Sequence, residues 1–432
     1  MPKPFPTLRL RAALILYRAL WIIALPLILI YLWRRGLKDP TYSQHLSERF
    51  GRHREMQDTV WIHAVSLGEM RSAVPLIRAL LQRGERIVIT HFTPAGRREA
   101  ESVFHAEIAE GRLRAVWVPF EYGWAFARFF RAFRPKYGLV MEIEVWPVMI
   151  MESRRKGIPL FMCNAQYPST SFMRDTTKTK FRGDLMLGFA GAMVKSDLQR
   201  DRFSLIGVDH IHVTGELRFE QPIPPHLLTA GQAARDWIAP TRPVVTIASA
   251  VEGEDEIYIR AIKTSQSTSA PLFIYVPRKP ERFAEVGAML RAAGLRVAER
   301  SNLFDRQLAP NGPAPDVDVI LGDSLGEMYF YLTMADNVVA GGGFTPHGAH
   351  NVIEPLALKK PVIVGPYIHT IEYPAVEAIA AGVCTHVHSE LELANAIVAG
   401  PQTSPDQISA FFNAHTGTVQ KTLHAIDALT TH

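Results

Sequence analysis

VWIHAVSLGEMRSAVPLIRALLQRGERIVIT, residues 60–90, decides the fold class. An apolar run of strand length, VWIHAV (60–65), comes first. A Ser-Leu-Gly turn leads into a helical pattern from Glu69 to Arg83, and a second apolar run, RIVIT (86–90), closes the stretch. Strand, helix and strand at this spacing make a βαβ unit, whose two strands lie parallel in one sheet. The alternation continues outward. A helix begins at about Ala95. RAVWVPF (114–120) and YGLVMEI (137–143) are further strands, separated by WAFARFFRAF with its aromatic residues at helical spacing. LFMCN (160–164), GAMVKS (191–196) and HIHVTG (210–215) complete a first α/β series.

The proline-rich stretch EQPIPPHLLTAG (220–231) interrupts that series and reads as a linker. A second α/β series follows: PVVTIAS (243–249), PLFIYVP (271–277), GLRVAER (294–300), VDVILGD (317–323), NVVAGG (337–342) and PVIVGP (361–366). The chain therefore divides into an N-terminal segment (1–40), a Rossmann-like domain (41–222), a linker (223–242), a second Rossmann-like domain (243–404) and a C-terminal helical segment (405–432). Two such domains are expected to face a cleft, with ligands at the carboxyl ends of the strands. A chain of 432 residues, 47% hydrophobic, buries such cores without disulfides. Cys163 and Cys384 sit in apolar segments and read as buried free thiols. No Cys/His cluster has zinc spacing, so no metal site is expected.

The formal charge of +5 matters through its placement. Residues 19–33, ALWIIALPLILIYLW, form an uncharged run of about 15 residues, short of the roughly 20 that span a bilayer. Arg9, Arg11, Arg18, Arg34, Arg35 and Lys38 bracket it, and Trp21, Tyr31 and Trp33 lie near its ends. This pattern predicts a membrane anchor, spanning or lying in the interface. Further basic groups occur at Arg131, Arg134 and Lys136, at Arg154, Arg155 and Lys156, and at Lys178, Lys180 and Arg182. They read as solvated faces or as attraction to an anionic membrane surface. Without a recognition motif or interleaved aromatics they do not indicate nucleic acid.

Four motifs carry chemistry. In HAVSLGE (63–69) a strand ends in a tight turn and Glu69 opens a helix, as a general base or as an acid that complements the helix dipole. In MEIEVWP (141–147) Glu142 and Glu144 end a strand, where residues i and i+2 point the same way, to support that base or bind acceptor hydroxyls, or simply as a polar strand end. In VPRKPERF (276–283) Arg278 and Lys279 leave a strand as candidate phosphate or carboxylate ligands, or as a plain loop charge pair. In GGGFTPHGAHNVIEP (341–355) Gly341, Gly342 and Gly343 allow close backbone approach to a phosphate, or form a purely structural glycine loop, which the density of polar groups around them disfavours. There Asn351 reads as an N-cap, and Glu354 falls in the first helical turn. The glycines lack the dinucleotide spacing and the Walker lysine, so neither NAD nor ATP is indicated.

Together with DPTYSQHLSERFG (39–51), CNAQ (163–166), VTGELRF (213–219) and DSLGEM (323–328), these motifs resemble the 3-deoxy-D-manno-octulosonic acid (Kdo) transferases of lipopolysaccharide assembly, inverting glycosyltransferases of GT-B architecture. The resemblance implies transfer of Kdo from CMP-Kdo to a lipid A precursor, lipid IVA, with no metal or other cofactor. It implies an acceptor-binding first domain, a donor-binding second domain, and work at the cytoplasmic face of the inner membrane. Glu69 would be the base. Ser249, Arg278, Lys279, Gly326, Glu327, Met328, the three glycines, Asn351 and Glu354 would hold the CMP-sugar. The chain departs from the family pattern at Gln166, Glu216, Ala250, Val251, Lys279 and Gly343. These departures keep two alternatives: a relative using another CMP-activated ulosonic acid or another lipid, and a non-catalytic membrane scaffold.

Overall fold

Residues 5–177, 180–266 and 270–430 are described by a computed structural model; Lys178 of the third basic group lies outside them. The chain forms two compact units. One is Met1–Gln221 together with Gly417–His432, the other Pro222–Thr416.

The first unit holds β1 (Thr59–His63), β2 (Arg86–His91), β3 (Leu113–Trp117), β4 (Tyr137–Met141), β5 (Leu160–Ala165), β6 (Gly191–Val194) and β7 (Ile211–Val213). They form one sheet in the order β3-β2-β1-β4-β5-β6-β7, and every pair is parallel. Side chains alternate across it as strand geometry requires. Trp61, Val88, Val140 and Met162 pack on one face with Phe126, Phe129 and Phe133. Val60, Ile62, Ile89 and Leu139 pack on the other with Leu76, Ile77 and Leu80. Both faces are covered, which is why these strands read as continuous apolar runs.

The second unit holds β8 (Val244–Ala250), β9 (Leu272–Pro277), β10 (Val297–Glu299), β11 (Val319–Leu321), β12 (Asn337–Ala340), β13 (Val362–Val364) and β14 (Cys384–His386). Their order is β10-β11-β9-β8-β12-β13-β14, again all parallel. The direction of winding reverses between β1 and β4 in the first sheet and between β8 and β12 in the second. Such switch points open crevices at the carboxyl ends of the strands.

Two expected boundaries differ from the structure. Most of the supposed linker 223–242 is a helix of the second unit, Pro225–Ile238. Pro225 sits in its first turn, where the missing N–H costs nothing. Gly231 is there for packing: a Cβ would stand 2.7 Å from the Phe330 carbonyl oxygen. The C-terminal segment also divides. Helix Pro405–Ala414 stays with the second unit. Helix Thr418–Thr430 returns to the first, where Leu423 and Ile426 complete one core layer. Glu220 fixes the return by accepting bonds from Thr418 Oγ1 (2.9 Å) and Val419 N–H (3.0 Å).

The N-terminal helix, Leu8–Gly36, has 29 residues, or about 43 Å. It is long and apolar enough to cross a membrane by length and composition. It extends past the apolar run because arginine is a good helix former and Thr7 caps its start. One row of side chains packs onto the first unit. Leu10 and Leu14 enter its core, while Trp21, Ile28 and Leu32 meet Phe120 and Tyr122. Arg18 pairs with Glu152 at 3.3 Å. The opposite row, including Ile15, Ile22, Ile23, Leu27 and Ile30, is exposed.

Candidate functional site

Glu69 stands in the first turn of helix Leu67–Gln82, directly after β1. Ser66 caps the helix, accepting the Glu69 N–H at 3.3 Å. The Glu69 carboxylate accepts from Val65 N–H (2.7 Å) and Ser66 Oγ (2.9 Å). The dipole-complementing role is therefore real, and it coexists with an unusual acidity. Burial pushes the Glu69 carboxyl up to about 7; Glu144 and Glu142 add to the rise, while the bonds from Val65 and Ser66 oppose it. Neighbouring histidines are poorer bases. Burial lowers His63 and His91 to about 3.

Glu142 and Glu144 do not behave as an i, i+2 pair on a strand. β4 ends at Met141, and Glu142 has φ 55°, which breaks the alternation. Glu144 accepts from Trp146 Nε1 at 2.8 Å. Glu142 instead joins a network that sequence reading missed. It accepts from Lys195 Nζ (2.8 Å) and Asn164 Nδ2 (3.0 Å). Lys195 also pairs with Glu216 (2.7 Å), which takes Arg218 at 3.1 Å and Asn164 Nδ2 at 2.8 Å. Two carboxylates meet two cations, so the buried charges balance, as interior ions require. Burial raises Glu142, and Lys195 only partly offsets it. Burial acts on Glu216 too, but Arg218 and Lys195 together outweigh it and hold that carboxyl well below the usual range. Sequence pointed to Glu142 and, at a position where the resembled family has Asn, to Glu216, but not to Lys195 or to their meeting.

In the second unit, Ser249 forms a bulge near the end of β8 with φ 61°, and the register with β9 shifts there. Gly341–Gly343 follow β12. Packing accounts for all three glycines: a Cβ would lie 2.4 Å from the Ser249 oxygen at Gly341, 2.4 Å from the Gly348 oxygen at Gly342, and 2.7 Å from the Gly365 nitrogen at Gly343. The amides of this loop are largely committed inside the protein. Glu254, fully buried, accepts from Gly342 N–H (2.7 Å), Phe344 N–H (2.9 Å), Val251 N–H (3.1 Å) and Tyr258 Oη (3.0 Å). Gly341 N–H donates to Ala248 O.

Beside this loop lies a cavity of about 290 Å³ lined by Ala250, Val251, Glu252, Arg278, Lys279, Arg282, His347 and His350. Arg278 hydrogen-bonds His350 Nδ1. Burial first, then Arg278 and His347, lower His350 to about 4, so the imidazole is neutral. Arg282 is anchored on Asp255 at 2.6 Å. Three cations converge on a small recess that an anion fits. Arg282, His347 and His350 were not singled out from sequence. Asn351 Oδ1 caps Ile353 N–H at 2.9 Å, and Glu354 is half-buried in the turn that follows. Of the DSLGEM motif, Gly326 is exposed with φ 82° and Met328 packs against the core. Glu327 is engaged by Arg300 (2.7 Å) and Ser324 (2.5 Å). No group of three or more His, Cys, Asp or Glu among the described residues is arranged to hold a metal ion.

Residues 44–221 match the family model described as 3-Deoxy-D-manno-octulosonic-acid transferase (kdotransferase). The chain is similar to the 3-deoxy-D-manno-octulosonic acid transferase of Bordetella pertussis, with 37% identity over 420 residues, 93% of this chain and 96% of the relative. The transferase of the same description from Haemophilus influenzae is 30% identical over 83% of each chain. Among solved structures, UGT73P12 of Glycyrrhiza uralensis, complexed with glycyrrhetinic acid 3-O-monoglucuronide, superposes with a TM-score of 0.58. Its identity is 11%, over 87% of this chain and 96% of that one, so the likeness is one of fold, the GT-B architecture.

Proposed function

The chain belongs to the Kdo transferase family of glycosyltransferases, and from that premise we propose that it moves Kdo from CMP-Kdo to a hydroxyl group of a lipid A precursor, lipid IVA, with inversion. The observation that carries this reading is Glu69. It is a half-buried carboxylate at the β1/β4 switch point, with its proton affinity raised to about 7. Near neutral pH such a group is substantially ionised and still basic enough to take a hydroxyl proton. The acceptor oxygen then attacks the anomeric carbon of Kdo, and the carbon–oxygen bond to CMP breaks. The charge that develops on the departing phosphate is met by Arg278, with Lys279 beside it. The cation-lined recess is the better phosphate site, because Glu254 already occupies the glycine-loop amides. Ser249, Asn351, Glu354 and the Gly326–Met328 turn frame the nucleotide in this scheme. It uses no bound metal or other cofactor. The apolar N-terminal helix holds the protein at the inner membrane, with both units on the cytoplasmic side.

A second reading, a relative acting on another CMP-activated ulosonic acid, has its own support. Ala250, Val251 and Lys279, three of the departures from the family pattern, line the recess itself. Purified protein given lipid IVA together with CMP-Kdo or with one of a panel of other CMP-sugars, with products read by mass spectrometry, tests both. A Kdo adduct that disappears in Glu69→Gln supports the first. Adducts from another CMP-sugar only would replace it with the second.

A further inference from the structure

Helix Pro147–Arg155, which follows β4, opens without a cap of its own. Its N-cap residue is Trp146, whose side chain makes no capping bond. Pro147 has no N–H to satisfy, so the amides of Val148 and Met149 are the unmet donors of the first turn. Glu121, on the loop after β3, supplies the missing acceptor. Its carboxylate takes Val148 N–H at 2.7 Å and Met149 N–H at 3.0 Å. Glu121 is only 1% exposed, and a carboxylate so buried is tolerated only where donors satisfy it. The third donor comes from the N-terminal helix, Tyr17 Oη at 3.3 Å. The next residue, Arg18, pairs with Glu152 on helix Pro147–Arg155 itself, also at 3.3 Å. One turn further on, the Trp21 carbonyl accepts from Tyr122 Oη at 2.7 Å. These bonds are directional, unlike the apolar contacts around them, and they fix the register of the N-terminal helix on the first unit.

With the cap supplied from outside, the Trp146 side chain turns toward β1. Its Nε1 donates to Glu144 at 2.8 Å. Its ring stands edge-on to His63, with centroids 5.3 Å apart, and to Phe92, at 5.6 Å. His63 ends β1 and Phe92 follows β2, so the ring packs on the two strand ends that carry the turn before Glu69. Phe92 N–H (3.4 Å) and Thr93 N–H (3.1 Å) both donate to the Val65 carbonyl, and Val65 N–H donates to Glu69 at 2.7 Å. We propose that Glu121 is a positioning residue for the turn that carries Glu69, acting through the start of helix Pro147–Arg155 and Trp146, and that Tyr17 makes the N-terminal helix part of the same brace. The helix then does more than anchor the chain, because displacing it takes a donor from a buried carboxylate and loosens the frame of the base. The inference deepens the reading of Glu69 above and rests on it only for the catalytic consequence.

The test compares the full-length wild type with Glu121→Gln and Tyr17→Phe. Amide hydrogen exchange, read by mass spectrometry, follows two segments that are apart in sequence, 146–151 at the helix start and 61–69 at the base turn. Glutamine keeps one of the two oxygens that hold Val148 and Met149, so Glu121→Gln should speed exchange about tenfold in both segments. In transfer assays the same variant should lower kcat about tenfold while KM for CMP-Kdo stays as in the wild type, since the base is misplaced and the donor recess is not. If Glu121→Gln misfolds, Tyr17→Phe, which leaves the carboxylate on both amides and removes only one donor, must still speed both segments, by about threefold, and lower kcat in the same way. Faster exchange confined to 146–151, or unchanged exchange in both segments, overturns the proposal. So does a loss of activity that appears as a raised KM with kcat intact. Exchange needs no turnover, so a wild type that fails to transfer Kdo would sink the function above and leave this coupling readable. Transfer that survives in Glu69→Gln would remove the base and not the brace.

Discussion

Glu69→Gln is expected to abolish transfer and, at the same time, to stabilise the protein in a pH-dependent way. The rise of the Glu69 pKa from 4.5 to about 7 corresponds to about 3 kcal/mol in favour of the neutral acid in the folded state. The sign follows from proton binding. Between pH 4.5 and 7 the folded protein holds this proton and the unfolded chain has released it, so stability falls as pH rises through that window. Above pH 7 the full penalty of a half-buried carboxylate is present. Glutamine cannot ionise and escapes it. One amide oxygen replaces two carboxylate oxygens that accept from Val65 N–H and Ser66 Oγ, which returns about 1 kcal/mol. The variant should therefore match the wild type at pH 4.5 to within about 1 kcal/mol and exceed it by about 2 kcal/mol at pH 8. In a unit of this size that is a rise of several degrees in the unfolding midpoint. Thermal melts of both proteins across this pH range, beside Kdo transfer assays, make the check. A stability difference that stays flat with pH would refute the raised pKa of Glu69. A more stable variant that still transfers Kdo would refute the base assignment.

The remaining expectations concern the charges around the two sites. Transfer by the wild type should rise with pH through about 7 as Glu69 ionises, and Glu144→Gln should move that midpoint down by removing a neighbouring negative charge; a pH–rate profile reads both. Lys195→Met leaves Glu142 and Glu216 without their shared cation and should cost about 3–5 kcal/mol in denaturant unfolding. Adding Glu216→Gln should recover part of that loss. Arg278→Ala should raise KM for the CMP-sugar about tenfold or more while leaving the melting temperature nearly unchanged, because the side chain is exposed and bonds only to His350 among the described residues. Gly341→Ala drives a Cβ to 2.4 Å from the Ser249 oxygen and should destabilise the second unit by about 1–3 kcal/mol, seen as a lowered melting temperature.

Much of the fold was legible because buried parallel strands write themselves as apolar runs. VWIHAV and RIVIT became β1 and β2 with ends shifted by a residue or two. What failed was local. Pro222, Pro224 and Pro225 read as a break, yet a proline in a first turn starts a helix as readily as it ends one. CTH (384–386) was too short to register as β14. The site was legible where a motif is contiguous, as at HAVSLGE, and illegible where it is assembled across strands. Asn164, Lys195 and Glu216 lie on or just beyond three separate strands, and each alone reads as an ordinary polar strand end. Arg49 lies in DPTYSQHLSERFG, but its burial gave no signal, because a buried arginine and a surface arginine look alike in sequence. Only its contact with the Trp117 ring and its orphaned Nε separate them.

The glycine loop was expected to turn its amides to a phosphate, and two of them are bonded to a carboxylate of the protein instead. Its place after β12 at a switch point, and its density of glycine, both suit a phosphate cradle. A carboxylate of the protein already occupies that position. Glu254 takes the Gly342 and Phe344 amides on one side and the Val251 amide on the other, tying the loop after β8 to the loop after β12. A phosphate would have to displace a buried carboxylate that four donors satisfy, which nothing in its surroundings favours. Glycine is required there because three backbone segments touch, and the rigidity this confers falls on the neighbouring recess. Arg278 is held to that frame through its own amide, which donates to Ala250 O at 2.9 Å. The departures at Ala250 and Val251 thus sit on the framework that sets where the arginine points. Donor selectivity should follow the shape of this rim more closely than the glycines beside it.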